Sequence, residues 1–171
     1  GWLFAKAAQT LVALKQVEVS QDSAHIGRLM SPGPELNALL ASVATTLRLA
    51  GCAPGWRNEL LDVWPEHPLG TAAALDNKPL GAIERGVVRP LGLLTRAVHL
   101  SGWSQDGHLW VARRALTKAT DPGMWDTLVG GLISSQEDVQ VGLVRESDEE
   151  AGLEAQDIAG RTPLRTIGRM L

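Results

Sequence analysis

The chain has 171 residues, of which 16 are lysine or arginine and 19 are aspartate or glutamate, so its formal net charge is -3 at pH 7. This balance argues against a nucleic-acid-binding protein, which usually carries a clustered basic excess, and the hydrophobic fraction of 44% argues against wholesale disorder. A single cysteine, Cys52, excludes an internal disulfide and fits a reducing compartment, so we expect a cytoplasmic location.

The first predicted elements are helical. The opening segment 1–15, GWLFAKAAQTLVALK, carries two lysines and is too short to span a bilayer, so it predicts an amphipathic helix and no membrane partner. Residues 31–51 predict a second helix with caps at both ends. Its apolar stripe consists of Leu36, Leu39, Leu40, Val43, Leu47 and Leu49. Residues 65–81 are rich in proline and turn-forming residues and predict a loop with at most one short strand.

The pattern changes to β-prone runs after Leu91. Two of them, LLTRAVHLSGW at 93–103 and HLWVARRAL at 108–116, are separated by SQDG and predict a hairpin. The histidines in these runs, His99 and His108, are flanked by apolar residues and are interpreted as structural. Residues 117–131 predict a turn-rich connection with a bend at Pro122-Gly123. We therefore expect a helix-rich α/β accessory region at 1–93 and a second domain at 94–171.

An acidic segment, GGLISSQEDVQVGLVRESDEEAGL at 130–153, ends this order of elements. Ser134 and Glu137 have the spacing of a capping box and predict a helix entrance there. Gly152 is typical of a helix end, because glycine adopts the left-handed conformation without strain. The apolar positions between them, Val139, Leu143 and Val144, are predicted to face a core.

Three carboxylates of this helix, Glu146, Glu149 and Glu150 (the carboxylate triad), lie at positions i, i+3 and i+4. On an α-helix they project from one side, whereas Asp148 points away from them and is interpreted as solvent-exposed. Two interpretations are open: a solvated acidic helix face, or a metal site for phosphate chemistry. Like charges one turn apart repel, and anions near a helix C-terminus oppose the helix dipole. A divalent cation would reverse that cost, so electrostatics favours the metal site.

The spacing of the segment resembles the Nudix box of Nudix hydrolases. The matching positions, in order, are Gly131, Glu137, Arg145, Glu146, Glu149, Glu150, Gly152 and Leu153. Ser147 is the one departure, since the pattern usually has a bulky aliphatic residue there. The resemblance implies an α/β/α sandwich with a loop–helix–loop metal site. Only 18 residues follow Leu153, so we expect the C-terminal part of the sandwich to be missing from this chain.

The resemblance also implies roles for individual residues. The carboxylate triad would hold Mg²⁺ or Mn²⁺ ions, Gly130 would add its carbonyl, and Glu146 would help to activate water. Arg145 and Glu137 would fix the carboxylate geometry through a salt bridge. Metal ions suit this reaction because attack of water on phosphorus flanked by anionic oxygens requires charge neutralisation.

The segments 55–64, 82–103 and 109–131 resemble the Nudix proteins related to thiamine pyrophosphokinase. This implies cleavage of thiamine diphosphate or its oxidised analogues to the monophosphate. The alternatives are a hydrolase of nucleoside diphosphates linked to another moiety, such as ADP-ribose or a nucleotide sugar, and a non-catalytic Nudix-fold sensor or scaffold. Because every glutamate of the box is present, catalysis is preferred. A similar approach to the box occurs in isopentenyl diphosphate isomerase, but its reactive cysteine is replaced here by Leu128-Val129.

Candidate substrate-binding residues lie just upstream of the box. Arg113, Arg114 and Lys118 could meet a diphosphate, and Trp125 or Trp103 could stack on an aromatic heterocycle. Each also has a plain alternative: the arginines as solvated strand-edge charges, the tryptophans as core residues. The expected partner is a small-molecule diphosphate, and a homodimer is the assembly considered.

Overall fold

A computed structural model of the chain describes residues 3–15, 17–20, 23–65, 78–118 and 121–160. Helices and strands both occur, so the predicted mixed α/β class is confirmed. The described residues fall into two compact units, the first ending at Thr95 and the second beginning at Arg96. Most of the predicted 65–81 loop lies outside the described residues. Among the described helices, none has the length and apolar character needed to cross a membrane.

In its described residues the first unit has three helices and two antiparallel strand pairs. Its helices are α1 (Ala5–Leu11), α2 (Pro34–Leu49) and α3 (Arg85–Leu91). Its strands are β1 (Val17–Val19), β2 (Ala24–Ile26), β3 (Leu60–Val63) and β4 (Gly81–Glu84). Strand β1 pairs with β2, and β3 pairs with β4.

Helix α2 begins with Pro34 in its first turn, and Gly51 after its end has φ +68°. The buried residues of its stripe are Leu36, Leu39, Leu40, Val43, Ala44 and Leu47, as periodicity predicts. Leu49 is 84% exposed, so its assignment to the core stripe was wrong. Leu47 and Leu49 are about 200° apart on the helix wheel, which explains why only one of them can face the core.

The described part of the second unit has five strands and two helices. Its elements are β5 (Ala97–Leu100), β6 (Gly102–Trp103), β7 (Leu109–Arg113), β8 (Trp125–Thr127), β9 (Val129–Leu132), α4 (Val139–Ala151) and α5 (Ala155–Ile158). Strands β6, β7 and β8 form an antiparallel sheet in that order, and β5 pairs antiparallel with β9. Helix α4 lies against the β5–β9 pair, with a small core made by Val98, Ile133 and Leu143.

The predicted hairpin exists between β6 and β7, with Trp103 opposite Leu109. The run 93–103 is nevertheless not one strand, because Ser101 interrupts it and β5 pairs with β9 instead of β7. Residues 117–131 contain more structure than the predicted connection. Pro122-Gly123 do form a bend, with Gly123 at φ +74°, but β8 and β9 follow directly.

Helix α4 begins later than the capping-box spacing predicts. Asp138 is its N-cap and accepts a hydrogen bond from the Gln140 N–H at 2.8 Å, so the helix begins at the end of the predicted entrance 134–138, and Ser134 is not its cap. The end was predicted correctly, since Gly152 closes the helix at φ +62°. Leu143 is buried, whereas Val139 and Val144 are half-buried.

Candidate active site

Two glycines of β9 bring its backbone against the end of α4. A Cβ atom built on Gly131 would collide with the carboxylate of Glu146. Only glycine therefore allows this carboxylate to lie against the strand. The preceding residue, Gly130, donates its N–H to Glu150 Oε2 at 3.0 Å. The β9 backbone thus meets two members of the carboxylate triad.

Arg145 lies at the centre of the acidic residues. Its Nε and Nη2 donate to the two oxygens of Glu137 at 2.8 and 2.9 Å, which is a bidentate pair. Its Nη1 donates to Glu146 Oε1 at 2.8 Å and lies 3.6 Å from Glu149 Oε2. Its Nη2 also donates to the Leu132 carbonyl at 3.2 Å. One guanidinium therefore connects the loop before α4, the helix and β9.

These contacts perturb the protonation of the pair. The hydrogen bond from Arg145 lowers the pKa of Glu137, with further stabilisation of the anion by the Ser134 N–H. The hydrogen bond to Glu137 raises the pKa of Arg145 still further above its usual value. Both groups are held in their charged forms, and the capping-like contact of Glu137 with Ser134 stabilises the loop.

The members of the carboxylate triad differ in their surroundings. Glu146 is only 9% exposed, whereas Glu149 and Glu150 are exposed. Arg145 contacts three carboxylates, those of Glu137, Glu146 and Glu149, and Glu150 is held by the Gly130 N–H, so the cluster keeps an excess of negative charge. Such an excess favours binding of a cation.

The donor chemistry of the cluster fits Mg²⁺ or Mn²⁺. These ions prefer carboxylate and carbonyl oxygens, which the triad and the Gly130 carbonyl offer. The missing Cβ of Gly131 lets the Glu146 carboxylate lie against this backbone. Within the described ranges no three acidic, histidine or cysteine side chains are already arranged so that they could hold a metal ion. The exposure of Glu149 and Glu150 leaves their side chains free to change rotamer on binding.

Ser147 lies beneath the cluster, and its side chain is fully buried. Its hydroxyl lacks a hydrogen-bond partner among the described residues. The space that an aliphatic residue would fill is therefore occupied by a smaller polar one, as the departure from the box pattern indicates. Its position facing the interior keeps it away from the carboxylate oxygens.

Three of the candidate substrate residues, Arg113, Trp125 and Trp103, lie on the β6–β7–β8 sheet, and Arg114 and Lys118 follow the end of β7. Arg113 and Trp125 are opposite each other in the β7–β8 register, and the guanidinium lies 5.9 Å from the ring centroid. Trp125 and Trp103 are 70% and 68% exposed, so the interpretation of these tryptophans as core residues was wrong. Short strands with one uncovered face explain this exposure.

Arg114 and Lys118 are not equivalent to Arg113. Arg114 donates to Asp126 Oδ2 at 2.8 Å. Burial acts to raise the pKa of Asp126, but hydrogen bonds from Arg114 and the Thr127 N–H outweigh it and lower that pKa. Arg114 is therefore engaged within the sheet, whereas Lys118 is exposed. Among the candidate substrate residues, the structure brings Arg113 and Trp125 together.

His99 is a polar residue near the site that the sequence analysis interpreted as having only a structural role. It is exposed, lies opposite Gly130 in the β5–β9 register, and its Nδ1 is 2.9 Å from Thr127 Oγ1. The pairing of β5 with β9 joins residues about 30 positions apart, so sequence spacing gave no sign of it. The one local signal is the alternation of His99 with buried Val98, which places the imidazole on the other face.

The chain is similar to a known domain family and to several known proteins. The model of the NUDIX domain family matches residues 94–168. An uncharacterized protein, YJR142W, from Saccharomyces cerevisiae is 34% identical over 58% of this chain and 28% of its own length. Nudix hydrolase 24, chloroplastic, from Arabidopsis thaliana is 34% identical over 78% of this chain and 36% of its length. An uncharacterized Nudix hydrolase, PA4841, from Pseudomonas aeruginosa is 36% identical over 45% and 46%, respectively. The chain spans less than half the length of these curated relatives.

Proposed function

We propose, from the match of residues 94–168 to the NUDIX domain family, that this protein is a metal-dependent Nudix hydrolase that cleaves a diphosphate linkage. The observation that carries the proposal is the carboxylate cluster around Arg145, in which one guanidinium contacts three glutamates, Glu137, Glu146 and Glu149, and leaves a surplus of negative charge. A purely structural helix gains nothing from that surplus of negative charge. Relatives named Nudix hydrolase support the activity.

The proposed roles of the chain's own residues are as follows. Glu146, Glu149, Glu150 and the Gly130 carbonyl are the proposed ligands of Mg²⁺ or Mn²⁺. The metal ions would supply charge neutralisation at the diphosphate and an activated water. Arg145 holds Glu146 through a 2.8 Å hydrogen bond and is itself fixed by Glu137. Gly130 holds Glu150 through its N–H.

We propose thiamine diphosphate, or an oxidised analogue of it, as the substrate and the monophosphate as the product. Support comes from the sheet beside the site. Trp125 and Trp103 are exposed and can stack on an aromatic ring, and a cationic thiazolium would gain from cation–π attraction. Arg113, next to Trp125, and exposed Lys118 carry the charge to meet a diphosphate. Arg114 would position Arg113's strand through Asp126.

A panel assay on the complete protein tests the proposal. The substrates are thiamine diphosphate, its oxidised forms, ADP-ribose, a nucleotide sugar and a dinucleoside polyphosphate, each with Mg²⁺. The proposal predicts the highest kcat/KM for the thiamine compounds. A clear preference for ADP-ribose or a nucleotide sugar would support a nucleoside-diphosphate-linked hydrolase. A folded protein that cleaves none of them would refute catalysis and favour the sensor or scaffold.

A further inference from the structure

The imidazole of His99 lies against the strand that carries the site. His99 is opposite Gly130, and a Cβ on Gly130 would approach within 2.8 Å of His99 Nδ1 and 3.2 Å of Thr127 Oγ1. The missing Cβ therefore makes room for the ring. Because the Gly130 N–H holds Glu150, the imidazole lies one residue from a proposed metal ligand while its side chain stays exposed.

The hydrogen bonds of Thr127 fix the tautomer of this histidine. Thr127 Oγ1 is 2.8 Å from the Val129 carbonyl and 3.5 Å from Asp126 Oδ1. A carbonyl and an ionised carboxylate only accept hydrogen bonds, so the single hydroxyl proton is directed to one of them. The oxygen must then accept from His99 Nδ1 across the 2.9 Å contact. In neutral His99 the proton is on Nδ1, and Nε2 carries a lone pair.

Nε2 has no hydrogen-bond partner among the described parts of the chain, and the ring is held by Thr127. An oriented acceptor at the surface of a site discriminates strongly among ligands, because a polar group left unpaired on binding costs free energy. A lone pair cannot receive a hydrogen bond from an ionised phosphate oxygen. The complementary group is therefore an N–H or O–H donor.

We propose that His99 Nε2 accepts a hydrogen bond from an amino or hydroxyl group on the organic half of the diphosphate substrate. His99 is then a specificity-determining residue, which selects diphosphates whose organic half carries an N–H or O–H donor. This inference rests on the proposed function, since it takes the diphosphate to lie beside the carboxylate triad. It adds the chemical class of the group that the site recognises.

Two substitutions of His99 distinguish the roles of its two ring nitrogens. Asn in His99→Asn can place an amide N–H where Nδ1 lies and keep the bond to Thr127, but it offers nothing at Nε2. Gln in His99→Gln reaches further and can place an amide oxygen near Nε2. The assays on the complete protein measure KM and kcat for the best substrate of the panel. They also measure the inhibition constant of imidodiphosphate, which has no organic half, and the melting temperature.

The proposal predicts that His99→Asn raises KM by about tenfold, the effect of one lost hydrogen bond, and leaves kcat within about twofold. The inhibition constant of imidodiphosphate stays unchanged, and His99→Gln recovers most of the lost affinity. Unchanged KM in His99→Asn, or an equal loss for imidodiphosphate, overturns it. A fall in melting temperature with unchanged KM would also overturn it and leave a structural role. If the wild-type protein cleaves no diphosphate, the proposed function fails instead.

Discussion

Arg145 donates two parallel hydrogen bonds to Glu137, from Nε to Oε1 at 2.8 Å and from Nη2 to Oε2 at 2.9 Å. This bidentate pair holds the loop before α4 against the helix. The third guanidinium nitrogen, Nη1, donates a hydrogen bond to Glu146. Lysine cannot reproduce this geometry, because its ammonium is a point donor.

Arg145→Lys should therefore lower both stability and catalysis. Hydrogen bonds to charged groups contribute about 1.5–3 kcal/mol each, and we expect the free energy of unfolding to fall by about that much, as measured by urea denaturation. Arg28→Lys is the control, since its contact with Glu18 is 3.5 Å long and both side chains are over 60% exposed. Equal effects of the two substitutions would contradict the role of the bidentate pair.

The same pair predicts a dependence of stability on pH. The hydrogen bond from Arg145 lowers the pKa of folded Glu137 below its ordinary value of 4.5. The unfolded chain therefore takes up the proton first as pH falls, and stability declines from about pH 4.5 down through the lower folded pKa. Wild type should lose more stability over this range than Glu137→Gln, which has no proton to take up there. Parallel curves for the two proteins, measured by denaturant unfolding from pH 6 to 3, would refute the assignment.

Gly131 should tolerate no side chain. Gly131→Ala places a Cβ against the Glu146 carboxylate, so the glutamate or the strand must move. We expect a loss of about 1–3 kcal/mol of stability, the usual cost of overpacking, together with a drop in kcat. Gly55→Ala is the matched control because the space around its Cβ is open, and it should change neither quantity. A fully active Gly131→Ala would show that the close approach has no role.

Ser147 offers a stabilising substitution. Its buried hydroxyl is unpartnered among the described residues, so Ser147→Ala should keep stability or raise it by up to about 1 kcal/mol. Ser147→Leu restores the usual aliphatic residue but must fit a fully buried position, and we expect altered packing with an unchanged metal requirement. Thermal melts and metal titrations check both variants. A clear destabilisation of Ser147→Ala would reveal a hidden partner for the hydroxyl.

Local signals in the acidic segment were predictable, whereas signals that depend on distant strands were not. Gly152 ends α4 because a left-handed residue is needed there, which is a property of the residue itself. The contact between Ser134 and Glu137 also exists, with the Ser134 N–H donating to Glu137 Oε2 at 3.0 Å. It stabilises the loop instead of the helix, because Asp138 caps the helix and Arg145 draws Glu137 away.

The surroundings of the site required the fold. His99 reaches the edge of the site only because β5 pairs with β9, and no local pattern specifies that partner. The exposure of Trp125 follows likewise from which face of the β6–β7–β8 sheet is covered. The spacing of the carboxylate triad predicted the helix face, and the collision with a Cβ at Gly131 added the strand that meets it.

The central claim, that the triad holds the metal for diphosphate hydrolysis, is tested most directly by the Mg²⁺ dependence of the hydrolysis rate in wild type and Glu150→Gln. Glutamine can still accept the Gly130 N–H, so the substitution removes charge while the fold is kept. We predict activity in wild type that requires Mg²⁺ and disappears in excess EDTA. In Glu150→Gln we predict a kcat lower by several powers of ten at an unchanged melting temperature, since a lost metal ligand removes several kcal/mol of transition-state stabilisation. Full turnover of wild type in EDTA, or full activity of Glu150→Gln, would contradict it.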